Sequence, residues 1–178
     1  MSVPVETNCK VDAAFLGRVL SPYRDNCRYL KSVDIRFEEG HSQLAEQSWQ
    51  TMVARGSFAI DRSCYIDDTG HFNAVEFNIC YNQLAYVHLA ACVRDRLMPA
   101  LDEFDLDSFY AKQLSNYLIH SIRSEYHTEI NPRCFSGEVR VVSARRRGKL
   151  SILRTHCRFF DEQGGASDGE VKLAVISP

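Results

Sequence analysis

Three side chains of the kinds that move protons or hold an anion, His71, Asn73 and Glu76, fall within one short stretch, Thr69-Gly-His-Phe-Asn-Ala-Val-Glu76. A turn signal, Asp67-Asp68-Thr69-Gly70, precedes them, and a run of helix formers with apolar residues on nearly every side continues to Val93. The three polar residues are therefore expected at the entrance of a buried helix over Asn73 to Val93. A helix N-terminus carries roughly half a positive charge and up to four free N–H donors, a setting suited to a developing oxyanion. In a purely structural reading Asn73 is the N-cap and Glu76, at the third helical position, completes a capping box. Capping accounts for Asn73 and Glu76 but leaves His71 without a role, and Asn73 can serve both ends.

A buried helix needs a sheet around it, and the 178-residue chain is long enough to supply one within a single domain, 1–178. With 45% hydrophobic and 25% charged residues the composition is that of an ordinary globular protein, and a formal net charge of −2 argues against a nucleic-acid binder. The basic run Arg145-Arg146-Arg147 sits beside Gly148 and Lys149, where a hairpin tip is expected. It is also a place where an acidic carrier protein or the phosphates of coenzyme A could dock. Seven cysteines lack CxxC pairs or framework spacing and read as reduced thiols of a cytoplasmic protein. No leader pattern opens the chain and no apolar run approaches a membrane span.

Read in order, Val11 to Leu20 has helical spacing and stops at Ser21-Pro22, and Val33 to Phe37 alternates as a half-buried strand. His41 to Trp49 fits either a loop or a short helix. Thr51 to Ile60 resumes a strand pattern, and after the long helix Asp107 to Gln113 reads as a short helix capped by Asp107. Four strand patterns follow: Asn116 to Ile130, Phe135 to Arg145, Leu150 to Phe160 and Glu170 to Ser177. They are parted by Asn131-Pro132, Arg147-Gly148 and the segment 161–169, in which Gly164-Gly165 reverses the chain. One long buried helix with one or two strands before it and four after it predicts an α+β hotdog domain, the helix wrapped by an antiparallel sheet. Its sheet edge and apolar surface predict a homodimer or higher oligomer.

Tyr65-Ile66, Thr69-Gly-His-Phe-Asn-Ala-Val-Glu76 and Asn82-Gln-Leu-Ala-Tyr86 together resemble the FcoT-like family of hotdog proteins. So do Pro22-Tyr23, Cys27-Arg-Tyr-Leu30, Gln113-Leu-Ser115, Asn131-Pro132, Phe135-Ser136, Asp161-Glu162, Gly164-Gly165 and Gly169-Glu170. That resemblance implies one of two activities: hydrolysis of long-chain acyl-CoA thioesters, or addition of glycine to the β-carbon of a 2-enoyl thioester on an acyl carrier protein in isonitrile-lipopeptide or β-amino-acid polyketide pathways. Glycine addition is the leading expectation. The resemblance also implies that Tyr23, Tyr65 and Asn73 line the acyl tunnel.

Conjugate addition needs donors for the thioester carbonyl, a base for the ammonium of glycine, and a proton for the α-carbon. Backbone N–H groups after Asn73, beginning with Ala74, suit the carbonyl oxygen; Glu76 suits the amine, and His71 suits a second proton transfer. Tyr23 and Tyr65 can equally be core filler with satisfied hydroxyls. Arg28 is the candidate cation for the glycine carboxylate. His88, His120, His127 and His156 lack metal-ligand spacing, so neither metal nor organic cofactor is expected. Two other readings stay open: a thioesterase in which Glu76 activates water, and a non-catalytic acyl-binding protein, which would need neither His71 nor Glu76.

Overall fold

The computed structural model describes residues 9–37 and 52–178; the ambiguous segment His41 to Trp49 lies outside the described residues. The long helix, α2, spans Ala74–Arg94 and is buried along most of its length. Its sequence contains neither Pro nor Gly, and the small residues Ala85, Ala90 and Ala91, all buried, let neighbours approach closely on every side. The helix ends where Arg96 takes a left-handed φ of 53°. Leu97 N–H then returns to the Cys92 carbonyl at 3.0 Å and Arg96 N–H to Val93 at 3.3 Å, the Schellman pattern usually built on glycine. The Arg96 guanidinium compensates by donating to the carbonyls of Asp102 and Phe104, both at 2.9 Å.

Seven antiparallel strands surround this helix: β1 (Cys9–Lys10), β2 (Leu30–Phe37), β3 (Met52–Phe58), β4 (Tyr117–Thr128), β5 (Phe135–Arg147), β6 (Leu150–Phe160) and β7 (Ala166–Ile176). Their spatial order is β1-β2-β3-β5-β6-β7-β4, so the strand that follows the helix returns to the far edge of the sheet. This is the expected hotdog arrangement, with the two-residue β1 added at one edge. Along β6 and β7 every second residue is buried; Leu153, Cys157, Phe159, Val171, Leu173 and Val175 belong to the core around α2, and the alternate positions form the sheet's outer face. Helix and sheet meet closely at Gly169, where an added Cβ would lie 2.8 Å from the Phe77 ring.

Several boundaries differ from expectation: β2 begins at Leu30 rather than Val33, β4 ends at Thr128 rather than Ile130, β5 runs on to Arg147, and β7 and the short helix after α2 differ more. The short helix after α2, here α3, runs Leu106–Asn116, and its cap is Asp105 rather than Asp107. Asp105 accepts from Ser108 N–H at 2.8 Å while Ser108 Oγ accepts from Asp105 N–H at 2.9 Å, a reciprocal box that leaves Asp107 in the first turn. β7 begins at Ala166, because Ser167 and Asp168 pair with Tyr126 and Glu125 of β4. The first helix, α1 (Ala13–Val19), is capped by Asp12 and stops before Pro22 as expected. The β5–β6 hairpin turns on Gly148, φ 59°, with Arg147 opposite Leu150, so the basic run does sit at a hairpin tip. Its members diverge, however: Arg146 is drawn to Glu103 and the Gly148 carbonyl.

Candidate active site

Asn73 caps α2 in extended conformation, and the capping box is complete. Its Oδ1 accepts from Val75 N–H at 3.0 Å and Glu76 N–H at 3.2 Å, and Glu76 Oε2 accepts from Asn73 N–H at 3.3 Å. Tyr65 O–H donates to the same Asn73 oxygen at 2.7 Å. Since backbone N–H groups only donate, the orientation of the Asn73 amide is fixed and its Nδ2 must be the donor end. That Nδ2 is buried and has no partner among the described residues. Of the helix's first N–H groups, those of Val75 and Glu76 are occupied by the cap, and the Phe77 N–H bonds to the Asn73 carbonyl at 2.8 Å. The Ala74 N–H has no acceptor among the described residues. One backbone donor and one side-chain donor thus stand unengaged at the positive end of a 21-residue helix.

His71 lies one turn outside the helix. Its Nδ1 is 3.1 Å from the Thr69 carbonyl, an oxygen that can only accept, so Nδ1 is the donor and Nε2 is the ring nitrogen left to exchange a proton. His71, Asn73 and Ala74 line a cavity of about 430 Å³ whose other wall is the end of β4, Tyr126, His127, Thr128 and Glu129. Below it Phe72 packs against Phe77, Phe135 and Phe159 with ring centroids 4.8 to 6.1 Å apart, which fixes the turn that carries His71. Glu76 is buried, 3% exposed, and sits in the electrostatic surroundings of the Cys80 thiol, which burial and then the Glu76 carboxylate push well above its ordinary range.

The other two expected residues sit on the 23–29 loop. Tyr23 is half-buried; desolvation first, then the neighbouring Tyr86 and Cys80, raise its phenol well above the ordinary range, so it stays a neutral O–H group. Arg28 donates from Nε to the Tyr23 carbonyl at 3.0 Å and pairs with Asp25 at 3.2 Å, so its guanidinium is engaged within its own loop. What holds this loop to the helix is Gln83, a residue whose part was not legible in the sequence. Fully buried, it accepts from the N–H groups of Tyr29 and Leu30 at 3.1 and 3.0 Å and donates to the Cys27 carbonyl at 2.6 Å. The structure therefore gathers Tyr65, His71, Asn73, Ala74 and Glu76 at the helix entrance and sets Tyr23 and Arg28 on a loop clamped to its third turn at Gln83.

Several motifs shared with the resembling family prove to be structural. Asp161 accepts from Asn131, Gln163 and Gly165 N–H groups at 2.7 to 2.8 Å, tying two turns together, and these bonds, that from Asn131 foremost, hold its carboxyl below the usual range. Six cysteines, 27, 64, 80, 92, 134 and 157, are free thiols. Among the described residues Glu125, His127 and Asp168 bring potential metal-ligating atoms within 4.8 Å of one another. Forty-one residues separate His127 from Asp168, so sequence spacing could not reveal the group. Its side chains are already engaged: His127 Nε2 lies 2.5 Å from Asp168, and Arg123 pairs with Glu125.

No helix among the described residues is long and apolar enough to cross a membrane. Among curated proteins, the chain is 38% identical over 171 residues to the (2E)-enoyl-[ACP] glycyltransferase of Streptomyces coeruleorubidus, covering 93% of this chain and 98% of that one. It is 36% identical over 166 residues to the protein of the same name from Mycobacterium marinum, covering 91% and 85%. Among solved structures it resembles Cj0977, a sigma28-regulated virulence protein from Campylobacter jejuni, with a TM-score of 0.49, 8% identity and 94% of each chain covered. It also resembles a mutant of thioesterase PA1618 from Pseudomonas aeruginosa, with a TM-score of 0.46, 13% identity and 81% and 82% covered. Residues 18–175 match the model of the FcoT-like thioesterase domain, and the chain belongs to that family.

Proposed function

We propose that this protein adds glycine to the β-carbon of a 2-enoyl thioester carried on an acyl carrier protein, giving the 3-(carboxymethylamino)acyl thioester. The observation that carries the reading is the pair of unengaged donors, Asn73 Nδ2 and Ala74 N–H, at the N-terminus of α2 beside a His71 with a free Nε2. Relatives covering nine-tenths of the chain bear the name of that activity. When the glycine nitrogen attacks, the C=C bond becomes a C–N bond and an enolate, and its negative charge develops on the thioester oxygen where those donors stand. The ammonium proton of glycine must leave and the α-carbon must gain one. We assign these transfers to Glu76, from within the first turn of the helix, and to His71 through Nε2. Tyr23 and Tyr65 flank the acyl chain, and Arg28 meets the glycine carboxylate only if the substrate displaces Asp25.

The cavity also argues for a homodimer. β4 is a twelve-residue strand at the sheet edge, and it exposes Leu118, Ile122 and Tyr126 at 40 to 44%, an edge that natural proteins cover. Tyr126 lines the 430 Å³ cavity as well, so a second copy paired along β4 would close its open side. Sedimentation of the purified chain tests this, and a monomer at micromolar concentration would refute it.

For the reaction itself, mass spectrometry of a 2-enoyl carrier-protein thioester incubated with enzyme, with and without glycine, is the test. Gain of one glycine with the thioester intact is expected. Release of a free acid, independent of glycine, would instead assign the site to thioester hydrolysis, the chemistry in the family's name.

A further inference from the structure

The sheet's outer face carries a second concavity, about 390 Å³, lined by His120 of β4, Ser143 and Arg145 of β5, Ile152 and Arg154 of β6, and Lys172 of β7. Arg154 and Lys172 stand directly opposite each other across the β6–β7 ladder. Like charges so placed destabilise a sheet, and nothing in a chain of net charge −2 obliges it to gather them. The one acidic neighbour among the described residues is Glu170, 3.8 Å from Arg154 and itself largely exposed. Arg145 and Lys172 have no acidic or hydrogen-bonding partner among the described residues.

The backbone is shaped to make this cluster. β5 shifts register between Val141 and Ser143, and β4 shifts register between Ile119 and Ser121. Before its bulge, β5 turns Val139 and Val141 inward; after it, Ala144 takes the inward position opposite Leu153, and Ser143 and Arg145 fall on the outer face opposite Arg154 and Ile152. On β4 the residue displaced by the bulge is His120 itself, next to Ser121, which pairs with Lys172. Two bulges on strands either side of the Arg154–Lys172 pair therefore deliver a histidine and an arginine to it. Bulges re-aim side chains and concentrate at functional sites for that reason.

We infer that this groove is a binding site for the phosphoryl group of a small phosphorylated ligand. Two guanidinium forks and an ammonium supply the donors, Ser143 adds a hydroxyl, and Ile152 forms an apolar floor. The volume accommodates a molecule of roughly nucleotide size, within the range of about 300 to 1,000 Å³ usual for ligand pockets. A bound dianion would turn the Arg154–Lys172 opposition from repulsive to bridging. The inference stands on the groove alone and is independent of the reaction at the α2 entrance.

Pyrophosphate and adenosine 3′,5′-bisphosphate are the probes, titrated into the full chain with thermal melting and two-dimensional amide NMR as readouts. Saturable stabilisation is expected, with shifts concentrated at residues 143–145, 152–154 and 170–172. Arg154→Ala/Lys172→Ala should fold normally, since both side chains are exposed, and should bind at least about 10-fold more weakly, the scale of losing charge-assisted donors; Arg147→Ser, outside the groove, should bind as the parent does. Equal response to both probes identifies the phosphoryl group as what is recognised, and tighter binding of the bisphosphate identifies a nucleotide as its source. Absence of saturable binding overturns the site. So does an undiminished response in the double variant, or a response to an acidic carrier protein but to neither probe.

Discussion

At the scale of single residues, the cap and the proposed catalyst share atoms, and substitutions can separate them. Asn73→Asp keeps an oxygen for the Val75 and Glu76 N–H groups but replaces the unpartnered Nδ2 with a second acceptor. The helix should be unharmed, since Asp caps as well as Asn, while glycine addition should fall by roughly 100- to 1,000-fold, the scale of losing one oxyanion donor. Asn73→Ala should lose both, with about 1 kcal/mol of stability gone as well; kcat and melting temperature measured together on the two variants check this. Glu76→Gln makes the complementary test. Glutamine also completes a capping box, so fold and acyl binding should persist while turnover drops by roughly 100-fold or more if the carboxylate takes the proton. His71→Ala should cost similarly, and the double variant less than the product of the two. Near-normal turnover of Glu76→Gln would remove Glu76 from the mechanism and leave His71, with His127 and Glu129 on the facing wall of the cavity, as the side-chain bases among the described residues.

At the scale of elements, α2 and the strands after it were legible because their patterns are local: period-two alternation for β5, β6 and β7, and an uninterrupted apolar run for the helix. Asn73 and Glu76 were legible as a capping box for the same reason. What escaped depended on partners distant in sequence. β7 starts at Ala166 only because Ser167 and Asp168 meet β4, the tip arginines diverge because Glu103 lies beside one of them, and the role of Gln83 needs the Cys27–Leu30 backbone 53 to 56 residues away. Helical position 83 looked like any polar residue in a helix. Its three hydrogen bonds make it the clamp between α2 and the loop bearing Tyr23, so Gln83→Leu should strand the Leu30 N–H and leave the Tyr29 N–H and the Cys27 carbonyl only their mutual bond at 3.1 Å. A loss of about 1 to 3 kcal/mol is expected, the cost of one orphaned buried group. Amide hydrogen exchange should rise first at residues 23–30, and a uniform rise across the sheet would show that the clamp is not local.

At the scale of the whole molecule, α2 couples the fold to pH through His88, which it carries in the core's centre with no exposed surface. Neither ring nitrogen has a hydrogen-bond partner among the described residues; the Met52 backbone lies nearby and favours the charged form slightly, but desolvation dominates and pushes the pKa down to about 4. The imidazole is therefore neutral in the fold, whereas in the unfolded chain it titrates near an ordinary value of about 6.5. Above that pH both states hold the ring neutral and no difference arises. As pH falls below it, the unfolded chain takes up a proton that the folded one refuses, so stability is lost progressively between about pH 6.5 and 4 and levels off below. The full difference is on the order of 3 kcal/mol, from about 1.4 kcal/mol per pKa unit. Carboxylates such as Asp161 add their own loss at lower pH, so the His88 part is isolated by difference. His88→Gln cannot titrate, and urea unfolding of both proteins in small pH steps across and beyond this window should show the parent losing stability relative to the variant through it. Parallel curves would mean that the ring is protonated in the fold after all, with a counter-charge beside it.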